Sequence, residues 1–181
     1  VSSPFPIRIA NVSDAPALLV LVHSAYRGES SRVGWTTEAD LLDGSRLTAD
    51  LLTVELADPA NTVLLMEDAE GLLACATVSD RGGGLAYFGM FAVRPRAQGG
   101  GVGSALLDAA EAHARARGAG AMEMTVIRQR ADLIGWYTRR GYFPTGEYRP
   151  FPYGDERYGR PRRDDLEFSV LRKDLTATVP P

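Results

Sequence analysis

Cysteine and histidine are scarce in this 181-residue chain, with one of the first and two of the second. The lone Cys75 has no partner for an internal disulfide, which fits a reducing compartment. So few soft ligands argue against a zinc site, and no metal is expected. An excess of positive charge is missing too: 20 basic residues against 23 acidic ones leave a net charge of −3. Non-specific nucleic-acid binding rests on neutralising many phosphates, so the charge balance gives that partner no support. No apolar run approaches the length of a membrane span, and the N-terminus lacks a charged-then-apolar signal pattern. A cytoplasmic protein with no membrane or nucleic-acid partner is the expectation, and a homodimer is compatible with it.

The composition is otherwise that of a soluble globular protein, 45% hydrophobic and 24% charged. Without an internal repeat or a dividing linker, residues 1–181 read as one domain, long enough to bury a sizeable core. The Ser/Thr/Pro-rich ends, 1–6 and 176–181, are expected to fray.

Ile7 to Ala10 alternates like a short strand. Ser13 or Asp14 is placed to cap a helix carrying Leu18, Leu21, Val22 and Ala25 at helical spacing. A polar loop is expected over 28–34, then a short helix over Trp35–Leu42 capped at Thr37, and another over Leu47–Leu56. Asn61–Glu67 and Leu72–Ser79 read as a hairpin, and the glycines 82–84 turn the chain into a third strand at Tyr87–Val93. A glycine-rich loop, a helix from Ala105 to Arg117 and a strand over Ala121–Ile127 follow. A helical crossover makes that last strand parallel to Tyr87–Val93. A helix over Ala131–Arg140, stopped by Gly141, leads to strands Tyr142–Tyr148 and Leu166–Leu171, a terminal hairpin. The result is a mixed α/β sheet.

The glycine loop, Gln98-Gly99-Gly100-Gly101-Val102-Gly103-Ser104, carries the strongest chemical signal. Strand, glycines and helix start together bring backbone N–H groups and roughly half a positive charge to one place, which suits phosphate. A nucleotide P-loop needs a lysine before Ser104, and none is present. A dinucleotide fingerprint needs a third glycine where Leu106 stands, near the start of a parallel sheet rather than after three strands. Gln98-x-x-Gly101-x-Gly103, preceded by Val93-x-Pro95, resembles the acyl-CoA signature of the GNAT-type N-acetyltransferases. Leu133 to Tyr142, with Tyr137 four residues before Gly141, is similar to a second segment of that family, in the same order and spacing.

The resemblance spans roughly Ile7 to Leu175. It implies a mixed, mostly antiparallel central sheet of about six or seven strands, flanking helices and a parallel pair around the acyl-CoA loop. It also implies acetyl transfer from acetyl-CoA to a primary amine by direct attack, with a small molecule as the expected acceptor. The amides of Gln98, Gly99, Gly100, Gly101, Val102, Gly103 and Ser104 would hold the CoA pyrophosphate. The backbone of Phe91, Ala92 and Val93 would pair with pantetheine, and the acetyl carbonyl would sit near Met90 or Phe91. Tyr137 maps to the proton donor for the leaving thiolate; a core aromatic packed beside Trp136 and Tyr142 is the competing reading. Many members carry Asn where this chain has Arg130, which reaches a CoA phosphate or stands solvated.

The base is less defined. Tyr87–Val93 contains no carboxylate, Glu123 on the next strand is a candidate, and a water relay or a less basic amine are alternatives. In the family the acceptor pocket lies between the first helix-loop-helix and the late hairpin. That points to Tyr26, Trp35 and Tyr148, with Trp35 read equally well as a local packing residue. His23, His113 and Cys75 read as structural, and Arg157, Arg160, Arg162 and Arg163 as a salt-laced surface loop. A non-catalytic acyl-CoA-binding module and a protein or peptide N-acetyltransferase are the alternative functions.

Overall fold

The computed structural model describes residues 5–176; the ends expected to fray lie outside them apart from Phe5, Pro6 and Thr176. Ile7-Arg8-Ile9 forms the edge strand β1 (Ile7–Ile9). Helix α1 (Ala15–Tyr26) follows, but neither Ser13 nor Asp14 caps it with a side-chain hydrogen bond. Asn11 instead caps a single 3-10 turn at Val12–Asp14, and the Asp14 carboxylate accepts from the Asn11 N–H and from Arg8. That turn delivers the chain into α1 with Pro16 in the first helical turn, where its missing N–H costs nothing.

Helix α2 (Gly28–Ser31) occupies the start of the segment expected to be a polar loop. The helix expected over Trp35–Leu42 does not form; turns run there and end in strand β2 (Leu42–Asp43). Thr37 Oγ1 does accept a backbone N–H, from Ala39, but this closes a local turn. The carbonyls of Trp35, Thr36 and Thr37 are taken by the Arg130 guanidinium, so a helical ladder has no acceptors to start from. Helix α3 (Ala49–Ala57) is capped by Thr48, whose hydroxyl accepts from the Leu51 N–H.

Strands β3 (Asn61–Asp68), β4 (Gly71–Asp80) and β5 (Leu85–Val93) form the expected antiparallel run. Helix α4 (Val102–Ala116) carries the chain to β6 (Ala121–Ile127), which lies parallel to β5. After helix α5 (Ala131–Thr138) come β7 (Phe143–Pro150), β8 (Arg160–Pro161) and β9 (Glu167–Asp174). Seven strands join in the order β1-β3-β4-β5-β6-β9-β7, while β2 and β8 form a separate two-stranded ribbon. Strand β9 inserts between β6 and β7, antiparallel to both.

Period-two alternation distributes the sheet's side chains between two layers. Leu64, Met66, Ala74 and Ala76 pack with Leu106 and Leu107 of α4, whereas Val63, Leu65 and Cys75 pack with Leu18 and Val22 of α1 and Leu52 of α3. Leu65 and Leu106 are fully buried on opposite faces. Each such side chain contributes about 1.5–3 kcal/mol of transfer free energy, so both helical layers are firmly held.

The parallel pair is short. Only Leu85, Ala86 and Tyr87 pair with Ala121, Met122 and Glu123; beyond them β5 stays with β4 and β6 with β9. The two strands therefore splay, and a wedge opens between them. On the β4 side of β5 the register slips: Met90 and Phe91 together stand opposite Ala76, between the Thr77–Gly89 and Cys75–Ala92 pairs. Met90 has φ +43°, the one non-glycine residue with positive φ among the described residues. A bulge that bends an inner strand beside an opening is a frequent companion of active sites.

Candidate active site

The glycine loop sits at the mouth of the wedge. Pro95–Ala97 makes a 3-10 turn, and Gly101, at φ +85°, starts α4 in a left-handed conformation that a larger residue resists. Among the described residues no side chain caps α4, and its first turn holds no acid. The first intrahelical bond runs from Ala105 N–H to Gly101 O, so the N–H groups of Val102, Gly103 and Ser104 project from the positive end of a 15-residue helix. Gly103 has a different reason to be glycine. A Cβ there would meet Phe91 Cζ at 3.1 Å, so its absence lets α4 close onto β5.

A cavity of about 250 Å³ opens in front of this helix end, lined by Tyr26, Trp35, Phe91, Val93, Gln98, Gly99, Gly101, Gly103, Ser104 and Arg140 among others. Most of the residues expected at a CoA loop thus meet around one opening. Ala92 and Val102 turn their side chains into the two cores, and Gly100 is exposed on the loop. Arg140 is the residue that sequence reasoning missed. Its guanidinium stacks 3.6 Å over the Trp136 ring and donates to Ser104 Oγ from Nε and Nη2 at 3.0 and 2.5 Å. Its position directly before Gly141, at the end of the tyrosine segment, was the available signal.

Two expected contacts are spent inside the protein, and the Gln98 N–H, the group expected to face the phosphates, donates to Pro95 O at 3.3 Å. Gln98 Oε1 accepts from the N–H groups of Trp35 and Thr36, and Nε2 donates to Thr36 Oγ1 and Val93 O. Its side chain clips the turn at 34–36 to the end of β5. Arg130 is buried, and its five N–H groups meet five acceptors: the carbonyls of Trp35, Thr36 and Thr37 and both oxygens of Asp132. It is neither solvated nor left with a donor for a phosphate. It fixes the turn that carries Trp35.

A second cavity, about 420 Å³, lies on the α1 side of the sheet, with Glu38, Arg46, Glu55, Thr77, Tyr87 and Met90 in its wall. The Met90–Phe91 bulge stands between the two cavities, since Met90 lines this one and Phe91 the other. Tyr26 Oη donates to Phe91 O, and the Cys75 thiol to Met90 O at 3.4 Å, so both bulge carbonyls are held from the α1 side. Burial pushes the Cys75 thiol up to about 12.

Tyr137 lies beside the bulge, with ring centroids 6.5 Å from Phe91, 5.0 Å from Trp136 and 6.0 Å from Tyr142. The ring packs as a core aromatic among these three neighbours. Among the described residues nothing hydrogen-bonds its hydroxyl. Burial, with the Tyr26 hydroxyl nearby, pushes that phenol well above its ordinary range.

Glu123 stands opposite Tyr87 at the last rung of the parallel pair and binds Arg149 through Oε1 at 2.7 Å. It faces a groove shared with Tyr87 and Arg149 rather than the cavity containing Met90. Tyr148 is exposed on β7 under the Arg128 guanidinium, apart from both cavities. Tyr26 and Trp35 line the loop cavity, not the larger one. Among the described residues no group of three or more His, Cys, Asp or Glu is placed to hold a metal, and no helix is long and apolar enough to cross a membrane.

The sequence pattern of the Acetyltransferase (GNAT) family matches residues 20–142. No curated protein gives a significant match. Among solved structures, the ribosomal-protein-S18-alanine N-acetyltransferase from Escherichia coli superposes with a TM-score of 0.70 at 16% identity, covering 96% of each chain. A spermidine N-acetyltransferase SpeG chimera from Vibrio cholerae and hSSAT gives 0.67 at 15% identity, over 96% of this chain and 97% of that one. The yncA protein of Salmonella typhimurium, a putative acetyltransferase solved with its cofactor acetyl-CoA, gives 0.66 at 22% identity, over 99% and 98%. At these identities the structures share the fold, while the sequence match covers well over half of the chain. The chain belongs to the GNAT acetyltransferase family and is an acyl-CoA N-acyltransferase domain.

Proposed function

We propose that this domain transfers an acetyl group from acetyl-CoA to a primary amine of a small molecule by direct attack. The observation that carries the reading is the meeting of two cavities at the Met90–Phe91 bulge, one fronting the uncapped α4 N-terminus and the other lined with charged side chains. The donor set fits CoA: projecting helix N–H groups, a loop bent by glycines and the Arg140 guanidinium all suit a pyrophosphate. A cavity of this size, bounded by Glu38, Phe151 and Tyr158, favours a small acceptor over a folded protein surface.

Acetyl-CoA supplies the acyl thioester. The N–H groups of Val102, Gly103 and Ser104, with Arg140, hold its phosphates. The stretch of β5 beyond Tyr87, splayed from β6, offers backbone groups to the pantetheine arm. Gln98 and Arg130 act indirectly, by fixing the turn that brings Trp35 over the opening. Tyr137 Oη carries the proton for the departing sulfur. From an ordinary phenol to a thiolate that transfer is uphill by roughly 2 kcal/mol, and burial of the phenol steepens it. Tyr137 therefore stabilises the sulfur chiefly as a hydrogen-bond donor, completing the transfer as the bond breaks. Glu123 is engaged by Arg149 outside the second cavity, and we assign it to fixing β7 against β6 instead of to the base.

The test is calorimetric titration with acetyl-CoA followed by thiol release across an amine and peptide panel. Saturable binding with thiol release on small amines is expected. Binding without release on any acceptor would favour the acyl-CoA-binding module.

A further inference from the structure

The larger cavity carries charge of both signs in its wall, Arg27, Arg46 and Arg81 against Glu38, Glu55 and Asp58. Arg27 and Arg46 share one carboxylate: Arg27 Nη1 pairs with Glu38 Oε2, and Arg46 Nη1 lies 3.3 Å from Glu38 Oε1. Two guanidiniums against one carboxylate leave one positive charge over. Arg46 exposes it to the cavity. Its guanidinium stacks 3.6 Å over the Tyr26 ring, and among the described residues its Nε and Nη2 meet no hydrogen-bond acceptor. A half-buried positive charge with free donors facing a cavity suits an anion, and its planar fork suits a carboxylate.

An opposite charge stands in the same wall. Glu55 projects from α3, and its carboxylate accepts from Thr77 Oγ1 at 2.5 Å but pairs with no cation among the described residues. Thr77 stands opposite Gly89, next to Met90. Arg46 lies over the Tyr26 ring, whose hydroxyl donates to Phe91 O, so both charges lie close to the bulge. An anion held by Arg46 is therefore near the reacting end of the acceptor, not at the far end of a long chain.

Resting on the acetyltransferase reading above, we infer that the acceptor is a free α-amino acid or a close analogue, its carboxylate bound by Arg46 and its ammonium by Glu55. Polyamines and peptidyl amines bring no carboxylate beside the reacting nitrogen and would leave Arg46 Nε and Nη2 without an acceptor. The ammonium sheds two protons. One passes through Glu55 to water, and the nitrogen then bonds to the acetyl carbon. The carbon–sulfur bond breaks with its electron pair going to sulfur, which takes a proton from Tyr137 Oη. The second ammonium proton restores that hydroxyl.

The test is thiol release with acetyl-CoA and the twenty free amino acids, each compared with its carboxamide, alongside a separate titration of acetyl-CoA binding. At least one free acid is expected to exceed its carboxamide by about tenfold or more in kcat/KM, the equivalent of one charge-assisted hydrogen bond. Arg46→Met should shrink that ratio to within about threefold, chiefly through KM, with the acetyl-CoA Kd unchanged. If Arg46→Met loses its melting transition, Arg46→Lys carries the test, since it keeps the charge without the fork and should fall between the two. Carboxamides turned over as well as free acids, no amino acid turned over while acetyl-CoA binds, or the ratio surviving in a folded Arg46 variant would each overturn the inference. Failure of the wild-type protein to bind acetyl-CoA would overturn the acetyltransferase reading itself, and the inference with it.

Discussion

The Tyr26 hydroxyl donates to the Phe91 carbonyl and so ties the last turn of α1 to the bulge of β5. Without that bond a buried carbonyl loses a donor, and the strand has less reason to keep Met90 at positive φ. Tyr26→Phe keeps the ring under Arg46 and removes only the donor. It should destabilise the protein by about 1–3 kcal/mol in urea unfolding. A change below about 0.5 kcal/mol would show that the bulge holds itself.

Tyr137→Phe separates packing from chemistry. Among the described residues its hydroxyl bonds to nothing, so the variant should melt within a few degrees of the wild type. Its kcat should fall about 100-fold, the lower end of what a positioned proton donor provides. Loss of stability with retained kcat would make the residue a core aromatic.

Arg140→Ala should weaken acetyl-CoA binding about 10- to 100-fold, the measure of a lost charge-assisted hydrogen bond to phosphate, and flatten the salt dependence of Kd. Arg130→Met is expected to behave in the opposite way. Releasing three carbonyls and Asp132 should lower stability by at least about 2 kcal/mol, with the salt dependence of acetyl-CoA binding retained. Calorimetry at two salt concentrations distinguishes them.

The Cys75 thiol, raised to about 12 by burial, should resist disulfide reagents in the native state at pH 8 and react only on unfolding. The sign of its pH linkage follows. A thiol whose folded pKa lies above its unfolded value contributes stability that is full below about pH 8.5 and is lost as pH rises towards 12. Cys75→Ala should therefore flatten the stability profile between about pH 9 and 11. An unchanged alkaline slope would exclude the thiol as its source.

The β5-loop-α4-β6 crossover was legible in the sequence because its signals are local: an apolar strand, punctuating glycines and a helix of Ala and Leu. The same held for the β3–β4 hairpin. The Trp35–Leu42 segment misled because its helix-like cap competes with Arg130, which lies far along the chain and takes the carbonyls a helix needs. No pattern announced Arg46 or Glu55 either. An arginine in a polar stretch and a glutamate on a helix become a matched pair only once α1, α3 and β4 are folded around the same cavity. Insertion of β9 between β6 and β7 was equally out of reach, since alternation shows a strand but not its neighbour.

Counting free thiol released from acetyl-CoA against N-acetylated product, for wild type and Tyr137→Phe side by side, tests acetyl transfer at the bulge. One thiol per acetylated amine is expected, at a rate about 100-fold lower in the variant. Acetyl-CoA binding with no acetylated amine, or equal rates in the two proteins, would contradict the account.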